Sequence, residues 1–355
     1  MKIAGIGMIN CRGLGVASFE KALETGWQKP AEAPARWREG RSAPAYLVDL
    51  KTLPDRSLLK KVRRSDHLSK MALLAAADAL ADSGWGDIPE RIGVIVATAF
   101  GPHVTTFDFL DDFLDLGDTQ VSPTTFSNSV HIAPASYISM TFNIKGPTLT
   151  VTQFRFSFPS ALQLAATWID QGRCDHVLLG AVEEYGDLLG YVMEQKLTVA
   201  PDGRIKPFTF NPTCHVPGEG SVFFLLGRGA SRNSYGSVKA VHINDDPDAG
   251  QSADLDIIDA DGMMPDESAY LRALPPGATV TAYSPLVGST MISSAFNMAA
   301  GALMLKRQKG YAAPVQDNPH GINVLDRTGS RALNSIRCSG FDCFGDRASI
   351  YLSRH

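Results

Sequence analysis

Apolar and polar residues alternate along this chain in two rhythms, one of period two and one of period near 3.6. KIAGIGMI (2–9) reads as a short apolar strand, and SFEKALETG (18–26) as a helix after a loop marked by Gly13 and Gly15. SDHLSKMALLAAADALADSG (65–84) spaces its apolar residues by three and four, with Ser65 or Asp66 placed to cap a helix and Gly84 to stop it. RIGVIVATA (91–99) is a buried strand rich in β-branched residues. Between them, residues 30–58 are rich in proline, alanine and arginine and read as an irregular surface excursion. Two helical runs follow, FDFLDDFLDLG (107–117) and the small-residue stretch around NSVHIAPASYISMTF (128–142), within a second excursion over 100–145.

From position 148 the grammar is strand, turn, helix, strand: TLTVTQ, then FRFSF, then a helix beginning near Pro159, then HVLLGAVEE (176–184). That is a βαβ unit, with the FRF turn at the carboxyl end of its first strand, where open α/β sheets gather ligands. Farther along, SVFFLLGR (221–228) and SVKAVHI (237–243) read as strands, set next to one another. TVTAY (279–283) is another strand, followed by a helix from about Ser289, and SIRCSGF (335–341) with ASIYLSRH (348–355) forms a closing pair. NDDPDAGQSADLDIIDADG (244–262) contains DADG, but registering it as a calcium loop puts Ile257 and Ser268 where carboxylates are required, so it reads as an exposed acidic loop.

Composition narrows the function classes. The 355 residues are 44% hydrophobic and 20% charged, enough for one large pseudo-symmetric body or two domains. A net charge of −4 offers no basic field to nucleic acid, and KKVRR (60–64) reads as a solvated face. No apolar run reaches membrane-spanning length and the first residues lack a signal-peptide pattern, so a cytoplasmic location is expected. Five scattered cysteines argue against a disulfide framework, and Cys338 and Cys343 have no second pair to complete a zinc site. Gly5 and Gly7 lack the third glycine and acidic residue of a dinucleotide fingerprint and read as a tight strand exit. Neither cofactor nor metal is expected.

Five motifs in order carry a resemblance. MINCRGLGVASFEKALETG, the 65–84 helix, GPTLTV with its turn and helix, KPFTFNPTCHVPGEGSVFFLL (206–226) and NMAAGALMLKRQKGYAAPVQDN (297–318) are similar to the β-ketoacyl synthases, condensing enzymes of the thiolase fold. The resemblance covers roughly 1–30, 60–230 and 257–355. It implies an α/β fold of two pseudo-duplicated halves in α-β-α-β-α layers, with residues 1–230 forming one half and 231–355 a shortened second. In that family a cysteine at the strand–helix turn takes the acyl chain, and two histidines assist decarboxylation and attack. Matched residue by residue, the cysteine position falls on Arg155, the histidines on Asp261 and Ser289, and the loop lysine on Ser284. Phe154, Phe156, Ser157, His131, Cys214 and His215 would line the pocket, with His131 capping or hydrogen-bonding within the core.

A guanidinium stays protonated and cannot act as nucleophile or base. Arg155 must therefore meet a carboxylate, with Asp261 the candidate, and either plug a disused pocket or read an anionic ligand. Ser157 is a helix-start hydroxyl unless a base activates it, and adjacent Cys214 and His215 point apart as chain neighbours do. The segment 122–140 resembles chain-length factors of aryl-polyene-like pathways, although those carry glutamine at the cysteine position. The resemblance then implies a non-catalytic subunit that pairs with an active ketosynthase, or with itself, and shapes an acyl tunnel served by acyl carrier protein. A stand-alone homodimer binding a carrier or acyl ligand, and an acyltransferase with a repurposed nucleophile, are the alternatives.

Overall fold

The computed structural model describes residues 1–354 other than 36–40, 54, 230–233 and 249. β1 (Lys2–Asn10) is buried beyond its first residue; β2 (Gly13–Leu14) folds back on it, and α1 (Val16–Thr25) follows. β3 (Ala31–Ala35) and β4 (Arg41–Ala45) form a separate antiparallel hairpin. The excursion expected at 30–58 is therefore partly a hairpin, while 36–40 and 54 lie outside the described residues. Small alanines alternate with polar residues and proline, and Ala33, Ala35, Ala43 and Ala45 face inward, a period-two signal too weakly apolar to stand out without the pairing of the two arms.

After α2 (Ser57–Lys61), α3 (His67–Asp82) is capped as the sequence indicates, with the Asp66 carboxylate accepting from Ser69 N at 2.8 Å. β5 (Ile92–Ala97) is buried throughout. Three helices occupy the region where two were expected: α4 (His103–Leu116), α5 (Pro123–Asn128) and α6 (Ala133–Thr141). Pro123 and Pro134 each sit in a first turn, where a missing N–H is harmless, and so split the run. Next come β6 (Thr148–Val151), α7 (Ser157–Asp170), β7 (His176–Glu183), α8 (Asp187–Lys196) and β8 (Gly220–Gly227). The helix thus starts two residues before Pro159.

The remaining chain runs β9 (Ser237–Ile243), β10 (Leu255–Ile258), α9 (Ala269–Ala273), β11 (Val280–Thr281) and α10 (Ser284–Val287). α11 (Ser293–Arg307), β12 (Lys309–Gly310), β13 (Gly329–Ser330), β14 (Ser335–Phe341) and β15 (Arg347–Ser353) complete it. The helix expected from Ser289 begins four residues later.

The main strands form one path, β11-β10-β14-β15-β9-β1-β8-β7-β5-β6. From β1 outward the pairings run antiparallel, antiparallel, parallel, parallel, through β8, β7, β5 and β6. From β9 outward they repeat that order through β15, β14, β10 and β11. The two halves meet where Lys2 pairs with Ser237. β8 and β9 are therefore not neighbours; β1 lies between them. The βαβ strands β6 and β7 are parallel, with β5 inserted between.

α7 and α11, each following the outermost strand of its half, share one core. Phe158, Leu162 and Ala165 of α7 join Phe296, Ala299 and Leu303 of α11 in it. α11 is buried on every side from Ser293 to Leu305, the mark of a central layer. α3 covers the opposite face of the first half through Met71, Ala72, Ala75 and Ala79 against Val94, Val96 and Leu225. Gly5 and Gly7 lie beneath it within β1 and are neither a strand exit nor a cofactor loop. A Cβ on Gly7 would come within 2.1 Å of the α3 backbone at Ala75 O and Ala79 N.

Gly7→Ala is expected to push α3 off the sheet and lower stability by about 2–4 kcal/mol, measured by urea denaturation. Gly86→Ala, where a Cβ meets nothing within 4 Å, should stay within about 0.5 kcal/mol of the parent.

Candidate functional site

The turn between β6 and α7 is one 3-10 turn, Phe154–Phe156. Phe154 takes φ 42°, a left-handed conformation that costs a non-glycine residue of order 1 kcal/mol. Ser157 holds it there. Its hydroxyl accepts from Gln153 N at 2.7 Å and lies within donating reach of Phe154 O at 2.7 Å and Thr98 O at 3.1 Å. The two phenylalanines part company: Phe156 is buried, whereas Phe154 is 65% exposed with its ring edge-on to Phe100. Arg155 points inward and is 95% buried (5% exposed).

The guanidinium meets Asp261 in a two-pronged pair, Nη2 to Oδ1 at 2.9 Å and Nη1 to Oδ2 at 3.2 Å. Nη2 also donates to Asp259 O at 2.9 Å. Asp261 is itself ringed by donors: Ser293 Oγ at 2.8 Å on Oδ2 and Met263 N at 3.2 Å on Oδ1. Glu267 accepts from Asp261 N and Gly262 N at 3.2 and 3.0 Å, and Asn297 donates to Asp259 Oδ1 at 2.5 Å. Burial works against the charge on Arg155, but the carboxylates of Asp261 and Asp259 outweigh it and push its pKa up. Burial raises Asp259 to about 7, with Arg155 pulling the other way, and burial and the Asp261 charge raise Glu267.

The exposed acidic loop expected at 244–262 holds only for its first part, where Asp245 and Asp254 are exposed, and fails from Leu255 onward. Asp256, Asp259 and Asp261 are all buried, because β10 runs through the segment and each carboxylate has a partner. Asp256 pairs with the fully buried Arg337 on β14. Among the described residues no cluster of His, Cys, Asp and Glu could hold a metal ion.

Ser289 and Ser284 have settled partners. Ser289 Oγ donates to Asp261 O at 2.5 Å and accepts from Val216 N at 3.1 Å; Ser284 Oγ donates to Ala260 O at 2.8 Å. Both hydroxyls thereby brace the loop that carries Asp261. His215 is buried with Nδ1 3.0 Å from Thr198 O, and burial lowers its pKa. Cys214 is half-buried beside Tyr46 and Val216. Its carbonyl lies where a Cβ on Gly262 would fall, 2.1 Å away, so the φ of 77° at that glycine lets the two loops touch. His131 is exposed, with its ring against Gly101 and its carbonyl accepting from Thr150 Oγ1 of β6. The core or capping role expected of it is not seen, because it sits in the turn between α5 and α6, ahead of the packed face that begins at Ala133.

The structure thus joins Arg155, Asp261, Ser289 and Ser284 and leaves His131 apart. Sequence reading missed Asp259, Glu267, Ser293 and Asn297. Only the Asp-x-Asp spacing at the end of β10 could have signalled any of them. The space beside Arg155, bounded by Phe156, Pro159, Asp259, Ser294, Cys338 and Ile350 among others, is about 10 Å³, at most one water molecule. An open anion-binding cavity is therefore not present at Arg155. What the arrangement can do chemically is hold charge; it offers no thiol at position 155 and no imidazole at 261 or 289.

Two five-stranded halves of identical pairing order, with a buried strand–helix turn beside the central helices, define a thiolase-like condensing-enzyme fold. Residues 2–231 match the family described as β-ketoacyl synthase, N-terminal domain, and the chain belongs to the β-ketoacyl synthase family. Nodulation protein E of Rhizobium meliloti is 28% identical over 260 residues, 67% of this chain and 63% of that protein, so this chain spans under two thirds of that relative. The structure described as the ishigamide ketosynthase/chain length factor superposes with TM-score 0.82 at 16% identity over 100% of this chain and 98% of that one. A β-ketoacyl synthase from Burkholderia phymatum gives 0.81 at 18%, covering all of both chains.

Breaking the pair from one side leaves a buried unpaired charge. Arg155→Met or Asp261→Asn should each cost about 3–5 kcal/mol, and the double variant should cost clearly less than the sum, as read by a chemical-denaturation cycle. The raised carboxyls also set a pH dependence. Burial lifts Glu183 to about 7; burial, with the charge of Asp66 next, lifts Glu184 to about 9. A carboxyl whose folded pKa is raised binds its proton more tightly when folded, so its stabilisation is complete below about pH 4 and is lost as pH climbs through those values. The thermal midpoint should fall from pH 6 to pH 9, and Glu184→Gln, which still accepts from Val104 N, should flatten the fall; a midpoint rising toward pH 9 contradicts this.

Proposed function

We propose that this protein is a non-catalytic, chain-length-factor-like subunit that pairs with an active ketosynthase and shapes a shared acyl tunnel in fatty acid or polyketide synthesis. The observation that carries the reading is the buried Arg155–Asp261 pair at the positions matched to the family's cysteine and histidine. A permanent cation stands where acyl transfer needs a thiolate, and the ion pair leaves no room for an acyl chain beside it. Ser157 is committed to the turn and Ser289 to Asp261, so neither hydroxyl is poised for attack.

Two surface features support a partner. Among the described residues β6 is an edge strand with a neighbour on one side only, and on it and in the segments that flank it Met140, Leu149, Phe154, Phe126 and Val130 are exposed. Separately, Lys51, Arg56, Lys60, Arg63 and Lys70 line a groove of about 770 Å³ together with Leu50, Leu59 and a single acid, Asp55. A groove of that net positive charge suits an acidic carrier protein.

Co-expression with a ketosynthase encoded beside it should yield a stable 1:1 complex, whereas the chain alone should gain no covalent mass from acyl-carrier thioesters of several chain lengths. An acyl adduct on the isolated chain sinks the non-catalytic reading. Lys60→Glu with Arg63→Glu should weaken carrier binding to the complex at least tenfold at low salt while leaving the complex itself intact.

A further inference from the structure

Arg155 and Arg337 are buried against carboxylates, but two half-buried guanidiniums are not. Arg12 leaves the carboxyl end of β1, Arg204 follows the turn at Gly203, and neither makes an ion pair with a described residue. They meet around Trp27. Arg12 Nη2 donates to Gly26 O at 2.6 Å, and the Arg204 guanidinium lies 4.3 Å from the centre of the Trp27 ring. The Tyr46 hydroxyl lies 3.3 Å from Gln28 O and 3.4 Å from Gly203 O, so the segments that carry Trp27 and Arg204 share one wall. Burial raises the pKa of Tyr46 while the Trp27 indole and then the charges of Arg12 and Arg204 pull it back, which sets both cations about the same phenol. Donors are in surplus here. Arg12 Nε and Arg204 Nε are buried without an acceptor, and the nearest acid in sequence, Asp202, accepts from the Arg204 backbone N instead. Guanidinium and indole groups donate and never accept, so this corner is short of acceptors, and an unmatched buried donor is costly. A guanidinium stacked on an indole keeps its N–H edge free to take two oxygens.

We propose that Arg12 and Arg204 form, against Trp27, a binding site for a phosphate-class oxyanion. A doubly charged group rich in acceptors answers two cations that have no carboxylate, and the planar forks of arginine suit its paired oxygens. An occupant would tie together three separate segments: the end of β1, the chain after α1 and the turn before Lys206. Neither arginine lines the space at Arg155 or the groove between Lys51 and Lys70, so the inference stands or falls apart from the pairing reading.

Calorimetric titration of the purified chain with inorganic phosphate, at an ionic strength fixed with chloride, tests it. Phosphate should bind with a Kd of about 1 mM or tighter, and about 10 mM of it should raise the thermal midpoint by about 2 °C. Acetate or further chloride should do neither, and an equal response to them marks a general salt effect and overturns the inference. Glycerol phosphate binding as well as inorganic phosphate assigns a phosphate carried on a larger molecule, and inorganic phosphate binding alone assigns the free ion; a chain that responds to neither contradicts the site. Arg12→Gln and Arg204→Gln should each weaken phosphate about tenfold, and Arg204→Lys, which keeps the charge but not the fork, should recover part of the loss. Arg91→Gln, at an exposed arginine already paired with Asp175, should change nothing. A second readout needs no variant: phosphate should slow amide exchange of the parent across 26–29 and 203–206 and leave β7 as it was. Protection elsewhere, or affinity lost in Lys60→Glu with Arg63→Glu but kept in Arg12→Gln and Arg204→Gln, puts the ion in the basic groove and overturns the assignment.

Discussion

One ion pair joins the two halves of this molecule at their centre. Arg155 precedes α7 in the first half, Asp261 follows β10 in the second, and Ser293, which opens α11, donates to the same carboxylate. A guanidinium at the start of a helix faces the positive end of the dipole and is badly placed; a carboxylate at the start of a helix is well placed. Asp261 therefore does two things at once, neutralising the charge before α7 and accepting from the Ser293 hydroxyl at the start of α11. Ser289 and Ser284 hold the loop backbone so that the carboxylate stays in position.

The consequence for chemistry follows from desolvation. A buried guanidinium is tolerated only when its charge and most of its N–H groups are matched, and here two carboxylate oxygens and a carbonyl match them. Those same contacts fill the volume at the turn. Packing and electrostatics thus agree on one state, and the strained Phe154 is kept in place by Ser157.

Much of the fold was legible because long periodic segments are governed by local rules. α3 announced its cap at Asp66 and its stop at Gly84, and β5, β7 and β8 announced themselves as apolar runs. What escaped depends on partners far away in sequence. β3 and β4 exist because each pairs with the other, and Asp256 and Asp261 are buried because arginines 81 and 106 residues away meet them. Arg155 itself stood out from the sequence as a cation that required a carboxylate, and Asp261 was nameable only through the family alignment. Asp259, Glu267 and Asn297 were not, since no periodicity distinguishes a buried acid beside a buried base from an exposed one. Insertion of β1 between β8 and β9 is likewise a property of the whole sheet.

β6 offers a last consequence. A four-residue strand at the open end of the sheet leaves backbone donors and acceptors facing outward, next to exposed Leu149 and Phe154. Such an edge is a template for indiscriminate strand addition as much as for a specific mate. Its brevity limits that hazard, and the flanking Lys145 adds a charge at its entrance. For a cell this makes concentration a matter of solubility: any copy whose margin stays uncovered carries an adhesive strip, and the risk of aggregation rises with the amount of chain synthesised.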